Sequence, residues 1–220
     1  VAILRGLYYT EYGGLPAVWH LVMPFSNIGD VDIGTLPQDT TSGIGDTTVG
    51  LTLWPVQPDN PETGTTLGLS LFATAPTGNY DPGTIGIGEG TWSITPQVGL
   101  IQGLGHGFCL DAALDVAFSM DHTEDGVDYE RAPSWQLQTM LRKQWGPTSL
   151  TFGYNGQRGG EQKVNGVETG LKTHRDQLRL YGSHWIDQTT QIQGLYAKDI
   201  NVEGGFEYDN LFQLRLVKVF

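Results

Sequence analysis

The stretch Phe108-Cys109-Leu110-Asp111-Ala112-Ala113-Leu114-Asp115-Val116-Ala117-Phe118-Ser119-Met120 decides the fold. In an extended chain its even positions, Phe108, Leu110, Ala112, Leu114, Val116, Phe118 and Met120, share one face. Cys109, Asp111, Ala113, Asp115, Ala117 and Ser119 share the other. Such a strand has an oily side and an acidic side. Trp135 to Trp145 repeats the design: Trp135, Leu137, Thr139, Leu141 and Trp145 lie on one face, interrupted by Lys143, and Gln136, Gln138, Met140, Arg142 and Gln144 on the other. Ten residues at about 3.3 Å each, tilted by about 45°, climb about 23 Å. That is close to the roughly 25 Å apolar band between the aromatic girdles of an outer-membrane barrel. Phe108 and Phe118 keep the same ten-residue interval. A soluble sandwich also alternates, but it has no reason to space aromatic residues this way.

The rest of the chain reads alike. Eleven segments carry strand signals, near 1–10, 14–25, 43–54, 64–75, 91–102, 107–120, 133–145, 148–157, 173–185, 188–199 and 206–220. Connections at Tyr12-Gly13, Gly103 to Gly107, Gly146-Pro147 and Ile186-Asp187 are short. Those at Ser26 to Ser42, Pro76 to Gly90, Asp121 to Ala132 and Arg158 to Lys172 are long. Short periplasmic turns alternating with long extracellular loops characterise transmembrane β-barrels. We therefore expect one all-β domain over residues 1–220, a transmembrane antiparallel barrel in a bacterial outer membrane. A descending last strand makes the segment at 1–10 descend as well, so an ascending strand is expected before Val1 and twelve strands in all.

Composition narrows the function. The 220 residues carry 12 Lys plus Arg against 24 Asp plus Glu, a formal charge of −12, which argues against nucleic acid. The single cysteine, Cys109, excludes an internal disulfide and a cluster of zinc thiolates; it reads as a small apolar strand residue. The most apolar run, Leu15 to Phe25, is too short for a membrane helix and contains Pro16, His20 and Pro24. His20, His106, His122, His174 and His184 form no metal-binding spacing. No GxSxG elbow occurs, and Ser183-His184 are neighbours that face opposite ways in a strand. Gly86-Ile87-Gly88-Glu89-Gly90 lacks the lysine and helix of a nucleotide loop, so Gly83 to Gly90 reads as a flexible extracellular loop. Asp121 to Asp128 is acidic enough for Ca²⁺ but lacks the EF-hand spacing and reads as surface. No cofactor is implied.

The chain ends Leu211-Phe212-Gln213-Leu214-Arg215-Leu216-Val217-Lys218-Val219-Phe220. Alternation with a terminal Phe220 looks like the closing strand read by the outer-membrane barrel assembly machinery; Lys218 departs from it and can snorkel to the interface. Gly43-Ile44-Gly45-Asp46, Ala75-Pro76-Thr77-Gly78-Asn79-Tyr80-Asp81 and Trp92-Ser93-Ile94-Thr95-Pro96 resemble, in order and spacing, the meta-pathway of phenol degradation family of outer-membrane proteins. The resemblance covers most of the chain. It implies a small barrel channel for hydrophobic or aromatic compounds, not an enzymatic step.

The inner faces carry the functional expectation. Asp111, Asp115, Gln136, Gln138, Arg142, Arg175, Gln177, Arg179, Gln213 and Arg215 should line the lumen, because charge in a membrane barrel belongs toward water or a partner. They read equally as a pore lining and as a salt-bridged plug. Pro96, inside the strand Trp92 to Leu100, must leave a ladder hydrogen bond absent or displaced. It either bends the wall or opens it sideways to the membrane. The expectation is thus a monomeric passive channel for small molecules, surrounded by outer-membrane lipid and lipopolysaccharide. The alternatives are an esterase-like or phospholipase-like barrel enzyme and a plugged structural or adhesive barrel.

Overall fold

The computed structural model describes every residue except Gly34, Pro82 and Gly83 and the side chain of Ile33. Gly83, the first residue of the expected flexible loop, thus lies outside the described residues. Eleven long strands form one antiparallel sheet: β1 (Ala2–Tyr12), β2 (Leu15–Ser26), β3 (Thr47–Val56), β4 (Thr65–Ala75), β5 (Ser93–Gly105), β6 (Phe108–Ser119), β7 (Ser134–Trp145), β8 (Thr148–Gly159), β9 (His174–Trp185), β10 (Thr190–Glu203) and β11 (Leu211–Lys218). Each pairs with its neighbours in sequence, and a short strand at Gly43–Ile44 also pairs with β2. All eleven expected segments are present. The outer edges of β1 and β11 have no ladder partner among the described residues.

Burial is inverted relative to a water-soluble domain. The buried apolar residues are Ala17, Val18 and Ala197 alone among those described, whereas His20, Asp46, Thr52, Asp115, Ser149, Thr151, Asn155, Gln177 and Asp199 are buried. Large apolar side chains, including Phe108, Phe118, Trp135 and Trp145, are exposed, as the alternation predicts. Register puts them at two levels. Phe108 lies opposite Lys143, whose ammonium sits 4.3 Å from the ring centroid, while Trp135 lies opposite Val116. Phe108 and Trp145 therefore mark one rim, Phe118 and Trp135 the other. A charged face turned inward and an oily face turned outward suit only a lipid surround.

The long loops differ from expectation. Two of them are folded: His122–Glu124, Val127–Arg131, Gln162–Val164 and Val167–Glu168 form a four-stranded sheet that joins the loop after β6 to the loop after β8. Its tight turns, Asp125-Gly126 and Asn165-Gly166, have φ of 50° and 79°, and 49° and 73°. Positive φ at both central residues is the two-residue hairpin turn that Asp-Gly and Asn-Gly favour. The segment expected over 188–199 extends to Glu203 as β10, with the register shifting between Asp176 and Gln177 of the facing strand. Such a bulge adds a residue to one strand and twists the pair.

Candidate functional site: the lumen

Residues directly opposite in an antiparallel ladder share a face. The ladders accordingly place all ten expected residues on the inner face, but the structure divides them between two environments. Beside β7 to β10 the lumen is filled by a polar cluster that reaches Asp115 on β6 and Gln97 on β5. Asp115 accepts hydrogen bonds from the amides of Gln97 (3.1 Å) and Gln136 (3.2 Å), and Gln136 in turn accepts from Asn155 (2.9 Å) and Gln157 (2.7 Å). Gln177 donates to Asp199 (2.7 Å), which also accepts from the Tyr208 amide (2.8 Å) and faces Arg175 at 3.3 Å. Arg179 donates to Gln177 (2.6 Å) and Gln138 (3.3 Å) and meets no carboxylate among the described residues. Gln177, Asn155 and Asp199 are the largest fully buried side chains. This half is a hydrogen-bonded polar plug in which Asn155 Oδ1 and Arg175 Nε are buried without a hydrogen-bond partner of their own, and the charge of Arg175 is met by Asp199.

On the β1 to β7 side a cavity of about 380 Å³ remains. Arg142 and Asp111 meet there in a two-pronged ion pair, Nε to Oδ2 at 3.1 Å and Nη2 to Oδ1 at 3.2 Å. Gln138 reaches the same space. Opposite them stands a group the sequence reading did not single out. Arg5 contacts His20 Nδ1 (3.2 Å), His20 Nε2 contacts Thr52 Oγ1 (2.9 Å), and Thr52 Oγ1 contacts Ser70 Oγ (2.8 Å). The signal was hidden because Leu15 to Phe25 is apolar on both faces, so alternation could not say which way His20 points. Arg215 on β11 donates to Gln193 (3.4 Å) and lies within electrostatic reach of Arg5. Gln213 sits opposite Leu195 on that inner face.

Pro96 stands in β5, paired with Leu71 of β4. Toward β6, Ile94 pairs with Phe118 and Gln97 with Asp115, and neither Thr95 nor Pro96 pairs. The ladder is continuous on one side and interrupted on the other, where proline has no N–H to give. Ser183 and His184 diverge: Ser183 Oγ meets Ser149 (2.7 Å), while His184 meets Thr148 (2.8 Å). His174 and His184 occupy opposite ends of β9.

Two of the three short motifs, Gly43 to Asp46 and Ala75 to Asp81, are joined to each other. The buried Asp46 accepts hydrogen bonds from the amides of Gly78 (2.9 Å) and Glu89 (2.7 Å), and the Asn79 amide donates to Ile44 (2.7 Å). Gly78 is needed because a Cβ there would stand 2.6 Å from the Gly45 backbone. Beyond the wall, His122 stacks on Tyr129 (5.1 Å) and meets the Tyr80 ring edge-on (6.2 Å), and Arg131 pairs with Glu89 (2.5 Å). Burial, then Tyr129, Glu124 and Glu89, push the Tyr80 hydroxyl above its ordinary value. The Asp121 to Asp128 stretch is part of this folded sheet, and no group of three or more His, Cys, Asp or Glu side chains among the described residues could hold a metal ion.

Residues 1–216 match the family described as "Putative MetA-pathway of phenol degradation". The chain belongs to this family. Among solved structures, this family member is similar to the COG4313 outer membrane channel from Pseudomonas putida F1, with 26% identity and a TM-score of 0.88 over 99% of this chain and 82% of that one. No curated protein matches the sequence. The phenol-degradation family member is an all-β protein of the bacterial outer membrane, and its eleven strands are the wall of a β-barrel.

Proposed function

We propose that the protein is a passive channel for uptake of small molecules, hydrophobic or aromatic ones in particular. The observation that carries this is the half-open lumen. Its inner face is polar, charged and hydrogen-bonded, yet the β1 to β7 side keeps a 380 Å³ cavity rather than continuing the plug. Trp54, Phe72, Leu100 and Met140 make part of that cavity apolar, which suits an aromatic solute, and the family description points the same way. The similar solved structure is itself an outer membrane channel. An open sheet edge in hydrocarbon leaves N–H and C=O groups unpaired at several kcal/mol each, so the conducting form has the outer edges of β1 and β11 paired. The interruption beside Pro96 is where a lateral exit into the membrane belongs in this reading. A monomer, lipid and lipopolysaccharide around the wall, and recognition of the strand ending at Phe220 by the assembly machinery complete it.

The enzyme reading has one specific candidate, the His20–Thr52–Ser70 chain, and its chemistry is wrong for hydrolysis. A hydrolytic triad orients its histidine with a carboxylate that stabilises the imidazolium. Here the guanidinium of Arg5 occupies that place, and a cation there opposes protonation of the ring. Conductance of the purified protein in planar bilayers tests the proposal: discrete ion-current steps are expected, and a folded, inserted protein that carries no current refutes it.

A further inference from the structure

The cavity that we read as the open half of the channel holds an uneven set of charges. Arg142 is engaged by both oxygens of Asp111. Arg5 has no carboxylate partner among the described residues; its side-chain contact is His20 Nδ1. A guanidinium has five N–H groups and no acceptor, so Nδ1 accepts. The His20 proton is then on Nε2, donated to Thr52 Oγ1, and the ring is neutral. The histidine thus orients Arg5 without neutralising it. Among the described residues that line the cavity, two guanidiniums, one carboxylate and a neutral ring leave an excess positive charge. The cavity wall supplies the second half of a recognition site. Phe72 lies over Gly50, where a Cβ would stand 2.2 Å from its ring, and Trp54 lies over Gly68, with a Cβ-to-Nε1 distance of 3.3 Å. Glycine on the neighbouring strand lets each ring lie down against the wall.

We infer that this cavity is a binding station for small aromatic carboxylates, with the carboxylate on Arg5 and the ring against Phe72 and Trp54. Guanidinium and carboxylate match as planar forks with two parallel hydrogen bonds. The 380 Å³ volume falls within the range of small-molecule sites. Arg215, which is also without a carboxylate partner among the described residues, lies within electrostatic reach of Arg5 and adds to the positive charge near it. The site therefore discriminates by charge among molecules of one shape. The inference rests on the channel reading for its role in uptake, but the site itself can be tested apart from conduction.

The test uses the intact protein with benzoate, benzyl alcohol and benzylamine, three probes that share a ring and differ in charge. In planar bilayers, benzoate is expected to block the ion current at concentrations at least about tenfold lower than the other two. Arg5→Gln is expected to weaken the benzoate block by about 10- to 100-fold, the range for a charge-assisted hydrogen bond, and Arg5→Lys to restore part of it. Equal block by all three probes on the unaltered protein overturns the inference and leaves the channel reading standing; so does an Arg5→Gln protein that still conducts and is blocked by benzoate as before. If the unaltered protein carries no current, the channel reading falls, and calorimetric titration of benzoate into the detergent-solubilised protein decides the site. Heat of binding that benzylamine does not reproduce supports it, and its absence overturns it.

Discussion

Leu141 is the position at which a lipid-facing wall and a water-facing one differ most sharply. It is exposed on β7 between Trp135 and Trp145. If those two tryptophans mark the rims, each residue climbs about 2.3 Å and Leu141 lies about 2 Å from the midplane. Arginine on the lipid face costs about 2–4 kcal/mol there. At 1.4 kcal/mol per decade, Leu141→Arg should therefore shift the folding equilibrium by about 30- to 700-fold. Leu104, exposed in β5 beside the Gly105–Gly107 turn, is the control, with an expected cost of about 0–1 kcal/mol for the same change near the interface. Were β7 facing water, Leu141→Arg would cost within about 0.5 kcal/mol of nothing. Reversible urea unfolding in lipid vesicles, followed by tryptophan fluorescence, measures both. A cost for Leu141→Arg no greater than that for Leu104→Arg would refute the midplane placement and, with it, the membrane reading of the outer face.

The loop anchor is equally open to test. Asp46→Ala leaves the Gly78 and Glu89 amides without their charged acceptor, at about 1–3 kcal/mol each; faster hydrogen exchange at both is expected, and unchanged protection would show that the anchor does not hold the loop. At Pro96, valine restores an N–H on the side where the ladder is interrupted, so Pro96→Val is expected to slow uptake of apolar solutes while ion conductance stays the same; equal uptake removes the lateral exit. Asp187 lies in the turn between β9 and β10, where hydrogen bonds from the Thr189 amide and hydroxyl, then Thr190 and the charge of Lys218, lower its carboxyl to about 2 from 3.8. Because the folded value is the lower one, its contribution to stability is present above about pH 4 and is lost as the pH falls through about 2. An NMR titration of the Asp187 carboxyl should show a midpoint near 2, and one at the ordinary aspartate value would contradict the hydrogen bonds.

Period-two alternation is a local property, and it was enough to decide the wall. Phe108 to Met120 and Trp135 to Trp145 each assign one face to oil and one to water whatever they pair with, and the ten-residue aromatic interval sets the thickness crossed. The glycine-rich turns and the alternation of short and long connections order the strands, because each hairpin pairs neighbours in sequence. The inner-face residues Asp111, Asp115, Gln136, Gln138, Arg142, Arg175, Gln177, Arg179, Gln213 and Arg215 were legible for the same reason. Which of them touch was not legible, because contact across a sheet depends on register between strands. Met140 opposite Asp111 puts Arg142 one diagonal step away from that carboxylate, while Asp115 falls between Gln97 and Gln136. Nor could alternation find Arg5, His20, Thr52 and Ser70, which come from four strands and meet only through the β1–β2–β3–β4 ladders. The folded sheet above the rim was missed because Asp-Gly and Asn-Gly signal turns, whereas the pairing of Tyr129 with Val164 joins two loops separated by β7 and β8. The sequence determined a wall with two solvents; tertiary register decided that one half of its interior is filled and the other holds a cavity with a cation to spare.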